Sequence, residues 1–371
     1  MKVESFVKEL NSDFYTGVPD SLLSALGNYL VKNKGVDPAK HVIAANEGNA
    51  TAIAAGYHLA TGKTPVVYMQ NSGQGNVVNP VASLCNDKVY GIPVIFVIGW
   101  RGEPGVHDEP QHVFQGEITL GLLDVMNIPY MIVDKETGEE EIAAKMKEYA
   151  SVLSEGRQVA FVVKKGALTY DEKCEYKNDY SMKRESIIGR IIDVTGDSPV
   201  IATTGKTGRE LFELRVARGE GHGHDFLTVG SMGHSSSIAL GIAAQSPEKK
   251  IWIIDGDGAM LMHMGSMAVL GTSGLENIVH IVINNGAHES VGGLPTVAEK
   301  MDLPAIAKAC GYSYAKTVSD EAGVDAALTE VKGLKGRIFL EIKSAIGSRA
   351  DLGRPTTTAR ENKEEFMKQN A

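Results

Sequence analysis

The sequence has few cysteines, no strongly basic stretch and no long apolar run, and each of these features argues against a class of protein. Its three cysteines, Cys85, Cys174 and Cys310, are scattered through 371 residues. Such spacing indicates a reducing compartment and gives neither a disulfide framework nor a zinc-binding motif. The formal charge is -9 and no basic stripe is present, so nothing indicates nucleic acid as a partner.

Membrane insertion and export are not indicated either. The most apolar run, 92–100 (IPVIFVIGW), is too short to span a bilayer. The first segment, 1–13 (MKVESFVKELNSD), has neither the apolar core nor the small-residue cleavage site of a signal peptide. Because 43% of the residues are apolar, the chain can bury sizeable cores. We therefore expect a soluble, cytoplasmic, globular protein with no membrane partner.

Short apolar runs alternate with helical patterns along most of the chain. Runs this apolar are typical of strands buried on both faces of a parallel sheet that helices flank. In the first half, the predicted strands lie near 41–45, 65–70, 93–100, 130–134 and 159–165. In the second half, they lie near 199–205, 226–230, 251–258, 278–285 and 338–343.

A charged segment that is poor in aliphatic residues separates the two halves. It spans 171–186 and is the best candidate for a linker. The predicted fold class is therefore α/β, with two domains of similar size, each a mostly parallel sheet flanked by helices. The predicted domains span 1–170 and 187–371.

Two of the predicted strands end in oxygen-bearing side chains next to glycine. The run 251–258 (IWIIDGDG) ends near Asp257, and after a helix predicted over 259–274 the next strand ends at Asn285. A right-handed crossover brings both strand ends to one edge of a parallel sheet, where α/β proteins bind ligands. A carboxylate and an amide oxygen at one place suit Mg²⁺. The sequence therefore predicts a magnesium-bound diphosphate at this edge.

The residues around GDG add to this predicted phosphate site. Gly256 and Gly258 have no side chains, so a phosphate can approach the backbone there, and Ala259 follows among the expected cofactor contacts. The predicted helix offers free N–H groups and the positive end of its dipole. Taken alone, GDG is often only a turn, and NNG is often a turn or a bulge. Their occurrence at two successive strand ends is the more specific signal.

GDG and NN in this arrangement resemble the diphosphate-anchoring motif of thiamine diphosphate enzymes. The resemblance implies that Asp257, Asn285 and the main-chain carbonyl of Ala287 bind Mg²⁺. It also implies a role for the segment VGSMGHSSS, which precedes GDG. There, Met232 matches the apolar residue that wedges between the two cofactor rings, and the Gly230 carbonyl matches the acceptor for the 4′-amino group.

The same resemblance implies a carboxylate against the aminopyrimidine ring of the cofactor. The segment 41–62 (HVIAANEGNATAIAAGYHLATG) is typical of a strand, then Glu47, then a helix rich in small residues. It is similar to the pyrimidine-binding segment of the decarboxylases in this family, which implies that Glu47 is catalytic. An acid at a helix N-terminus can also serve only to complement the dipole, and this alternative stays open.

Two further segments of the first half are candidates to face the thiazolium ring. YTGVPDSLL (15–23) carries Asp20 after a glycine-proline turn, and RGEPGVHDEPQH (101–112) is a long polar loop that carries His107 and His112. Simple decarboxylases of the family have an acid in the first segment and histidines in the second, which transfer protons. A solvated surface connection is the alternative for the loop, although it is long for one.

The chain is too short for the middle domain of the pyruvate-decarboxylase relatives, and its domain order resembles that of the phosphonopyruvate and sulfopyruvate decarboxylases. The strings FYTGVPDSLL, EPQHVFQGEIT, TTGKTGRELFELR and VGSMGHSSSIALGIA are most similar to the phosphonopyruvate enzymes. The implied reaction is the decarboxylation of 3-phosphonopyruvate to phosphonoacetaldehyde, by a homo-oligomer that is at least a dimer. Sulfopyruvate or another 2-oxo acid stays open as the substrate.

A substrate of this kind is a small anion, and its distal phosphonate needs Arg or Lys. Arg101, Lys206 and Arg209 lie in predicted strand-end loops and are the candidates, although each also suits an ordinary surface charge.

Two other classes of function remain as alternatives. GKT in TTGKTGRE hints at a phosphate-binding loop of nucleotide-binding proteins, but the glycine required five positions before Gly205 is Val200. No G-x-G-x-x-G follows a predicted strand, so a dinucleotide site is unsupported. A nucleotide-binding protein without thiamine diphosphate is one alternative, and a non-catalytic α/β scaffold is the other.

Overall fold

The computed structural model describes residues 1–370, which form two compact units. The first unit comprises Met1–Glu175 with Val291–Leu294, and the second comprises Tyr176–Ser290 with the chain from Pro295 onward. Residues 171–183 form neither helix nor strand. The finer domain boundaries given above stay a prediction. None of the helices in the described part of the chain is long and apolar enough to cross a membrane.

Six parallel strands form the sheet of the first unit, in the order β2-β1-β3-β4-β6-β5. The strands are β1 Tyr15–Gly17, β2 His41–Ile43, β3 Val66–Gln70, β4 Ile95–Gly99, β5 Tyr130–Val133 and β6 Val159–Val163. The α-helices are α1 Val3–Leu10, α2 Ser24–Lys34, α3 Glu47–Thr61, α4 Gln74–Pro80, α5 Pro110–Val125 and α6 Glu139–Ser154. A 3₁₀ turn, Asn71–Gly73, precedes α4, and a π-helical turn, Val81–Cys85, follows it.

Strand β4 shows why this sheet is covered on both faces. All five of its residues are buried. Ile95 and Val97 pack in one hydrophobic cluster, and Phe96 and Ile98 pack in another. Because successive side chains of a strand point to opposite faces, the two clusters lie on opposite sides of the sheet. Continuous apolar runs are therefore the correct signal for the central strands.

The sheet of the second unit also has six parallel strands, in the order β13-β14-β10-β9-β7-β8. They are β7 Val200–Ala202, β8 Asp225–Leu227, β9 Ile251–Gly256, β10 Asn277–Asn284, β13 Tyr314–Val318 and β14 Gly336–Lys343. Two shorter strands are β11 Ala287–His288 and β12 Leu294–Pro295. The α-helices are α7 Arg184–Thr195, α8 Lys206–Ala217, α9 Ser235–Gln245, α10 Asp257–Met262, α11 Gly265–Gly271, α12 Leu303–Ala309, α13 Glu321–Gly333 and α14 Ala359–Asn370. The 3₁₀ turns are Glu289–Val291 and Ala298–Lys300.

The predicted fold class is confirmed, since both sheets are parallel and flanked by helices. Each predicted strand corresponds to an observed one, whereas strands β1, β11, β12 and β13 were not predicted. The single helix predicted over 259–274 is wrong. Two short helices, α10 and α11, occupy this region, because His263 leaves the helical conformation with φ -132° and ψ 46°.

Candidate active site

The predicted site residues of the second unit follow the carboxyl ends of four strands. Lys206 follows β7, Met232 follows β8, Asp257 follows β9 and Asn285 follows β10. These strands are parallel neighbours, so the four residues share one edge of the sheet. This is the edge at which α/β sheets bind ligands.

Asp257 and Asn285 leave adjacent strands side by side. Gly256 is the last residue of β9, and it is in register with Ile283 of β10. The carboxylate of Asp257 is only 3% exposed, and burial raises its pKa to about 6. A buried carboxylate of this kind is stabilised by a nearby cation. The hydroxyl of Thr296 donates a hydrogen bond to its Oδ2 over 2.5 Å, which orients the group.

The side chain of Asn285 is held at both ends. Its Nδ2 donates to Oε2 of Glu289 over 2.9 Å, and its Oδ1 accepts from the backbone N–H of Ala287 over 3.0 Å. Its backbone carbonyl accepts from Nδ2 of Asn178 over 2.8 Å. An amide oxygen has two lone pairs, so Oδ1 retains one that can bind a cation.

The glycines of GDG have different surroundings. A Cβ atom added to Gly256 would meet open space, whereas one on Gly258 would lie 3.0 Å from Nδ1 of His288 and 3.4 Å from Cε of Met232. Met232 therefore packs beside Gly258, and Ala259 after it is buried. Gly230 has a φ of +69° and donates its N–H to the hydroxyl of Thr204 over 3.2 Å.

These residues fit a magnesium-bound diphosphate. The carboxylate of Asp257, the amide oxygen of Asn285 and the carbonyl of Ala287 are hard oxygen ligands, and phosphate and water oxygens usually complete such a site. The open space at Gly256 gives a phosphate access to the backbone. The helix dipole contributes less than the sequence suggested, because α10 has only six residues.

The predicted site residues of the first unit also follow strand ends. Asp20 follows β1, Glu47 follows β2, and Arg101 follows β4 in the loop that carries His107 and leads to His112. The strands are parallel, so these positions lie at the carboxyl edge of the first sheet.

Glu47 is the first residue of α3 and its side chain is buried. The preceding residue, Asn46, caps the helix by accepting from the N–H of Asn49 over 2.9 Å. Burial raises the pKa of Glu47, although a 2.7 Å hydrogen bond from Nδ2 of Asn76 to its Oε2 opposes the rise. The carboxylate lies against Gly73, where a Cβ atom would overlap it. A buried carboxyl group with a raised pKa is suited to exchanging protons near neutral pH.

Asp20 is a second buried carboxylate, at 2% exposed. Its Oδ1 accepts from Nε2 of Gln70 over 2.8 Å, and its Oδ2 has no hydrogen-bond partner. Burial raises its pKa, and this rise is opposed by hydrogen bonds from Gln70 and from the backbone of Leu22 and Leu23 and by the charge of Arg101. A buried carboxylate oxygen without a partner is costly in a folded protein, so it suits a group that receives or gives a proton.

The guanidinium of Arg101 is already bound by Asp108 of its own loop and by Ser21. Nε donates to Oδ2 of Asp108 over 2.8 Å, Nη2 donates to Oδ1 of Asp108 over 2.5 Å, and Nη1 donates to the hydroxyl of Ser21 over 3.1 Å. Burial favours the neutral form of Asp108, but its hydrogen bonds with Arg101 and with backbone N–H groups keep its pKa well below the ordinary range. This bidentate pair fixes the start of the 101–112 loop.

The two histidines of this loop have different environments. His107 is exposed. His112 lies in the first turn of α5 and is 9% exposed, and burial lowers its pKa, so it is neutral near pH 7. Its Nδ1 is buried without a hydrogen-bond partner. The ring of His112 is therefore confined by its surroundings, whereas the ring of His107 is not.

Lys206 and Arg209 lie in the first turns of α8. Nζ of Lys206 donates to Oε1 of Glu289 over 2.7 Å, and Nη1 of Arg184 donates to Oε2 of the same carboxylate over 2.9 Å. Arg209 is half-buried. Glu289 binds the side chains of both Lys206 and Asn285, and so links the two residues.

Several residues in contact with the predicted site residues did not emerge from the sequence. They are Gln70, Asn76, Asn178, Thr296 and Glu289. Most lie far along the chain from their partners and carry no spacing pattern. Glu289 is the exception, because it stands four residues after Asn285 in the run NNGAHES and could have been considered with it.

Two protein-family models match the chain. The model described as "Thiamine pyrophosphate enzyme, N-terminal TPP binding domain" matches 3–127. The model described as "Thiamine pyrophosphate enzyme, C-terminal TPP binding domain" matches 203–342. The first match includes Asp20 and Glu47, and the second includes the GDG and NN strand ends.

Curated relatives cover nearly the whole chain. The phosphonopyruvate decarboxylase of Streptomyces viridochromogenes is 32% identical over 363 residues, covering 93% of this chain and 88% of its own. That of Streptomyces hygroscopicus is 32% identical over 356 residues, covering 91% and 86%. A sulfopyruvate decarboxylase of Methanosarcina acetivorans is 26% identical over 324 residues, covering 80% and 79%.

Proposed function

Because this chain belongs to the family of thiamine pyrophosphate-dependent decarboxylases that includes the phosphonopyruvate decarboxylases, we propose that it decarboxylates 3-phosphonopyruvate to phosphonoacetaldehyde and CO₂. Thiamine diphosphate is the cofactor and Mg²⁺ is the proposed metal. When bound, the cofactor supplies the electron sink for the electron pair that remains as CO₂ leaves. The observation that carries this proposal is the side-by-side exit of Asp257 and Asn285 from β9 and β10.

In this proposal, the edge of the second sheet holds the diphosphate. Asp257, Asn285 and the carbonyl of Ala287 bind the cation, which neutralises part of the phosphate charge. Gly256, where a Cβ atom would meet open space, would admit a phosphate, and Met232 beside Gly258 would contact the bound cofactor. The Gly230 carbonyl would accept a hydrogen bond from the 4′-amino group of the bound cofactor.

With the cofactor bound, Glu47 would exchange a proton with its aminopyrimidine ring. Its burial and its raised pKa support this role, because a proton must move both onto and off the carboxylate near neutral pH. Asn76 and Gly73 hold the carboxylate in one position. Asp20, His107 and His112 are the proposed groups for returning a proton to the product carbon after CO₂ leaves. The partnerless Oδ2 of Asp20 and Nδ1 of His112 favour these two over His107.

Arg101, Lys206 and Arg209 stay the proposed partners of the substrate's phosphonate. Arg101 also binds Asp108, and Lys206 also binds Glu289. A phosphonate that used either cation would therefore have to share it with a carboxylate. We also propose a homo-oligomer of at least two chains, which light scattering would test, and the cytoplasmic location stays a prediction.

The proposed function is tested by CO₂ release from three 2-oxo acids with thiamine diphosphate and Mg²⁺ present. We expect phosphonopyruvate to be decarboxylated most efficiently, then sulfopyruvate, then pyruvate. A phosphonate carries up to one more negative charge than a sulfonate, and each charge-assisted hydrogen bond gained contributes roughly 1.5–3 kcal/mol. Faster turnover of sulfopyruvate would contradict the substrate assignment. No release from any of the three would contradict the decarboxylase assignment.

A further inference from the structure

The two consecutive asparagines at the end of β10 are held in the same way. Nδ2 of Asn284 donates to Oε1 of Glu341 over 2.7 Å, and its Oδ1 accepts from the N–H of Gly286 over 3.0 Å. Asn285 repeats the pattern one residue later, with Glu289 as the carboxylate. In both asparagines, a carboxylate binds the NH₂ end of the side-chain amide, and the amide oxygen accepts a hydrogen bond from the backbone two residues later.

The contact from Glu289 determines which end of the Asn285 amide is available to a cation. A carboxylate only accepts hydrogen bonds, so it binds the NH₂ end of the amide and repels the oxygen end. A flipped amide would place its oxygen against Glu289 and would present its NH₂ group to the cation. The carboxylate of Glu289 thus enforces the orientation in which Oδ1 can bind metal.

The negative charge of Glu289 lies in a network of two carboxylates and two cations, because Arg184 also binds Glu210 through hydrogen bonds of 2.7 and 2.8 Å. Arg184 donates to its Oε2 over 2.9 Å and Lys206 donates to its Oε1 over 2.7 Å. The Glu289 side chain is 9% exposed and that of Arg184 is 7% exposed, so these charges are shielded from solvent. Without such balance, a carboxylate beside a diphosphate site would repel the phosphates.

We propose that Glu289 is a positioning residue for metal binding: it orients the amide of Asn285, and Lys206 acts at this site by neutralising Glu289. The inference rests on the proposed function, since it concerns the cation of the same site. This role of Lys206 differs from binding of the substrate's phosphonate, because a lysine that only binds the phosphonate would affect substrate binding alone. Outer residues that orient metal ligands typically contribute about ten- to a hundredfold to metal affinity.

The test is the Mg²⁺ concentration that half-saturates the binding of thiamine diphosphate to the whole protein, measured by calorimetry without substrate. Glu289→Gln keeps the size of the side chain but removes its charge and lets it bind either end of the amide. We expect its half-saturating Mg²⁺ to rise on the order of tenfold. Lys206→Met should raise it in the same direction, because Glu289 would then share Arg184 alone with Glu210, and its unbalanced charge would repel the diphosphate.

Matched controls come from an ion pair elsewhere in the second unit. Lys316 and Glu330 form a pair at 3.7 Å with side chains 43% and 45% exposed. Glu330→Gln and Lys316→Met make the same chemical changes away from β10, and both should leave the Mg²⁺ titration unchanged. Thermal unfolding of every variant without Mg²⁺ or cofactor separates a loss of metal binding from a loss of folding.

The outcomes distinguish the inference from the proposed function. The positioning role is overturned if Glu289→Gln folds and its half-saturating Mg²⁺ concentration stays within about threefold of the wild-type value. A change that small lies below the usual effect of residues that orient metal ligands. If Glu289→Gln does not fold, Lys206→Met decides by the same limit. If Lys206→Met changes only the Michaelis constant for phosphonopyruvate, Lys206 binds the substrate, and the proposal that it acts by neutralising Glu289 is wrong. If the wild type itself does not bind thiamine diphosphate with Mg²⁺, the proposed function fails.

Discussion

The carboxylate of Glu47 rests against Gly73, and a Cβ atom on Gly73 would overlap its Cγ and Oε1. Gly73 ends the 3₁₀ turn that joins β3 to α4, and Glu47 begins α3 after β2. Two connections at the edge of one sheet thus meet at this carboxylate. A side chain at residue 73 would therefore displace the carboxylate of Glu47.

We predict that Gly73→Ala impairs catalysis by displacing this carboxylate. Turnover should fall on the order of a hundredfold, as misplacement of a reacting group by about 1 Å can cause. Gly75→Ala is the matched control, because a Cβ atom there would meet nothing within 4 Å. Steady-state rates and circular dichroism of both variants test the prediction. Full activity of Gly73→Ala would contradict this prediction.

Glu47→Gln should bind thiamine diphosphate normally and turn over at least about a hundredfold more slowly, the low end for loss of a positioned acid–base group. Gln can accept a hydrogen bond, but it cannot exchange a proton with the aminopyrimidine ring. The direct measurement is exchange of the cofactor's C2 proton with deuterated water, followed by NMR. Exchange at the wild-type rate in this variant would refute the catalytic role.

Local patterns were sufficient to predict most of the fold. The buried strands β4, β9 and β10 are continuous apolar runs, and GDG and NN mark the ends of β9 and β10. Strand β1 was missed because it has only three residues and ends in Gly17. Strand β13 was missed because two of its five residues are exposed, so its apolar pattern is weak.

The contacts that orient the site could not be predicted from the sequence. Thr296 lies 39 residues from Asp257, and Asn178 lies 107 residues from Asn285. Such pairs form only when the fold brings distant segments of the chain to the same edge of the sheet, and the local spacing of residues does not indicate this. The pairing of Arg101 with Asp108 is different, because these residues share one loop and carry opposite charges. Their proximity in sequence was a usable signal.

Thr296→Val should weaken metal-dependent cofactor binding. The substitution keeps the shape of the side chain but removes the hydroxyl that orients Asp257. We expect the Mg²⁺ concentration for half-saturation to rise on the order of tenfold, as for other groups that support metal ligands.

Asp257→Ala, which removes the proposed metal ligand itself, should not become saturated with thiamine diphosphate at Mg²⁺ concentrations that saturate the wild type. Thr329→Val removes a hydroxyl that donates to the backbone carbonyl of Asp325, and it should leave the titration unchanged.

Substitutions at Arg101 and Asp108 separate substrate binding from loop order. If Arg101 binds the phosphonate, Arg101→Met should raise the Michaelis constant for phosphonopyruvate about ten- to a hundredfold more than that for pyruvate, given 1.5–3 kcal/mol per charged hydrogen bond. Asp108→Asn should not raise it, because it weakens a competing partner of Arg101. Equal effects of both variants on both substrates would show that the pair only orders the loop.

Protonation of His41 should lower the stability of the protein as the pH falls from about 6.5 towards 4. His41 is fully buried, and burial lowers its pKa from 6.5 to about 4; the carbonyl of Gly35 opposes this shift and the charge of Lys34 adds to it. Tyr68 lies 2.9 Å from its Nε2. Because the folded pKa lies below the unfolded one, the unfolded chain binds the proton first. The resulting stability is complete above pH 6.5 and is lost as the pH falls towards 4.

Each unit of pKa difference corresponds to about 1.4 kcal/mol, so protonation of His41 should cost on the order of 3 kcal/mol by pH 4. Chemical denaturation at several pH values measures this loss. His41→Gln removes the titrating group and should flatten the dependence between pH 4 and 6.5, whatever its effect on absolute stability. An unchanged slope in this variant would contradict the assignment.

The most direct test of the proposed function is the conversion of phosphonopyruvate followed by ³¹P NMR, with thiamine diphosphate and Mg²⁺ added together and each omitted in turn. We predict that the phosphonopyruvate signal is replaced by that of phosphonoacetaldehyde only when both are present. Conversion in apoprotein without thiamine diphosphate, or no conversion with both present, would contradict the account.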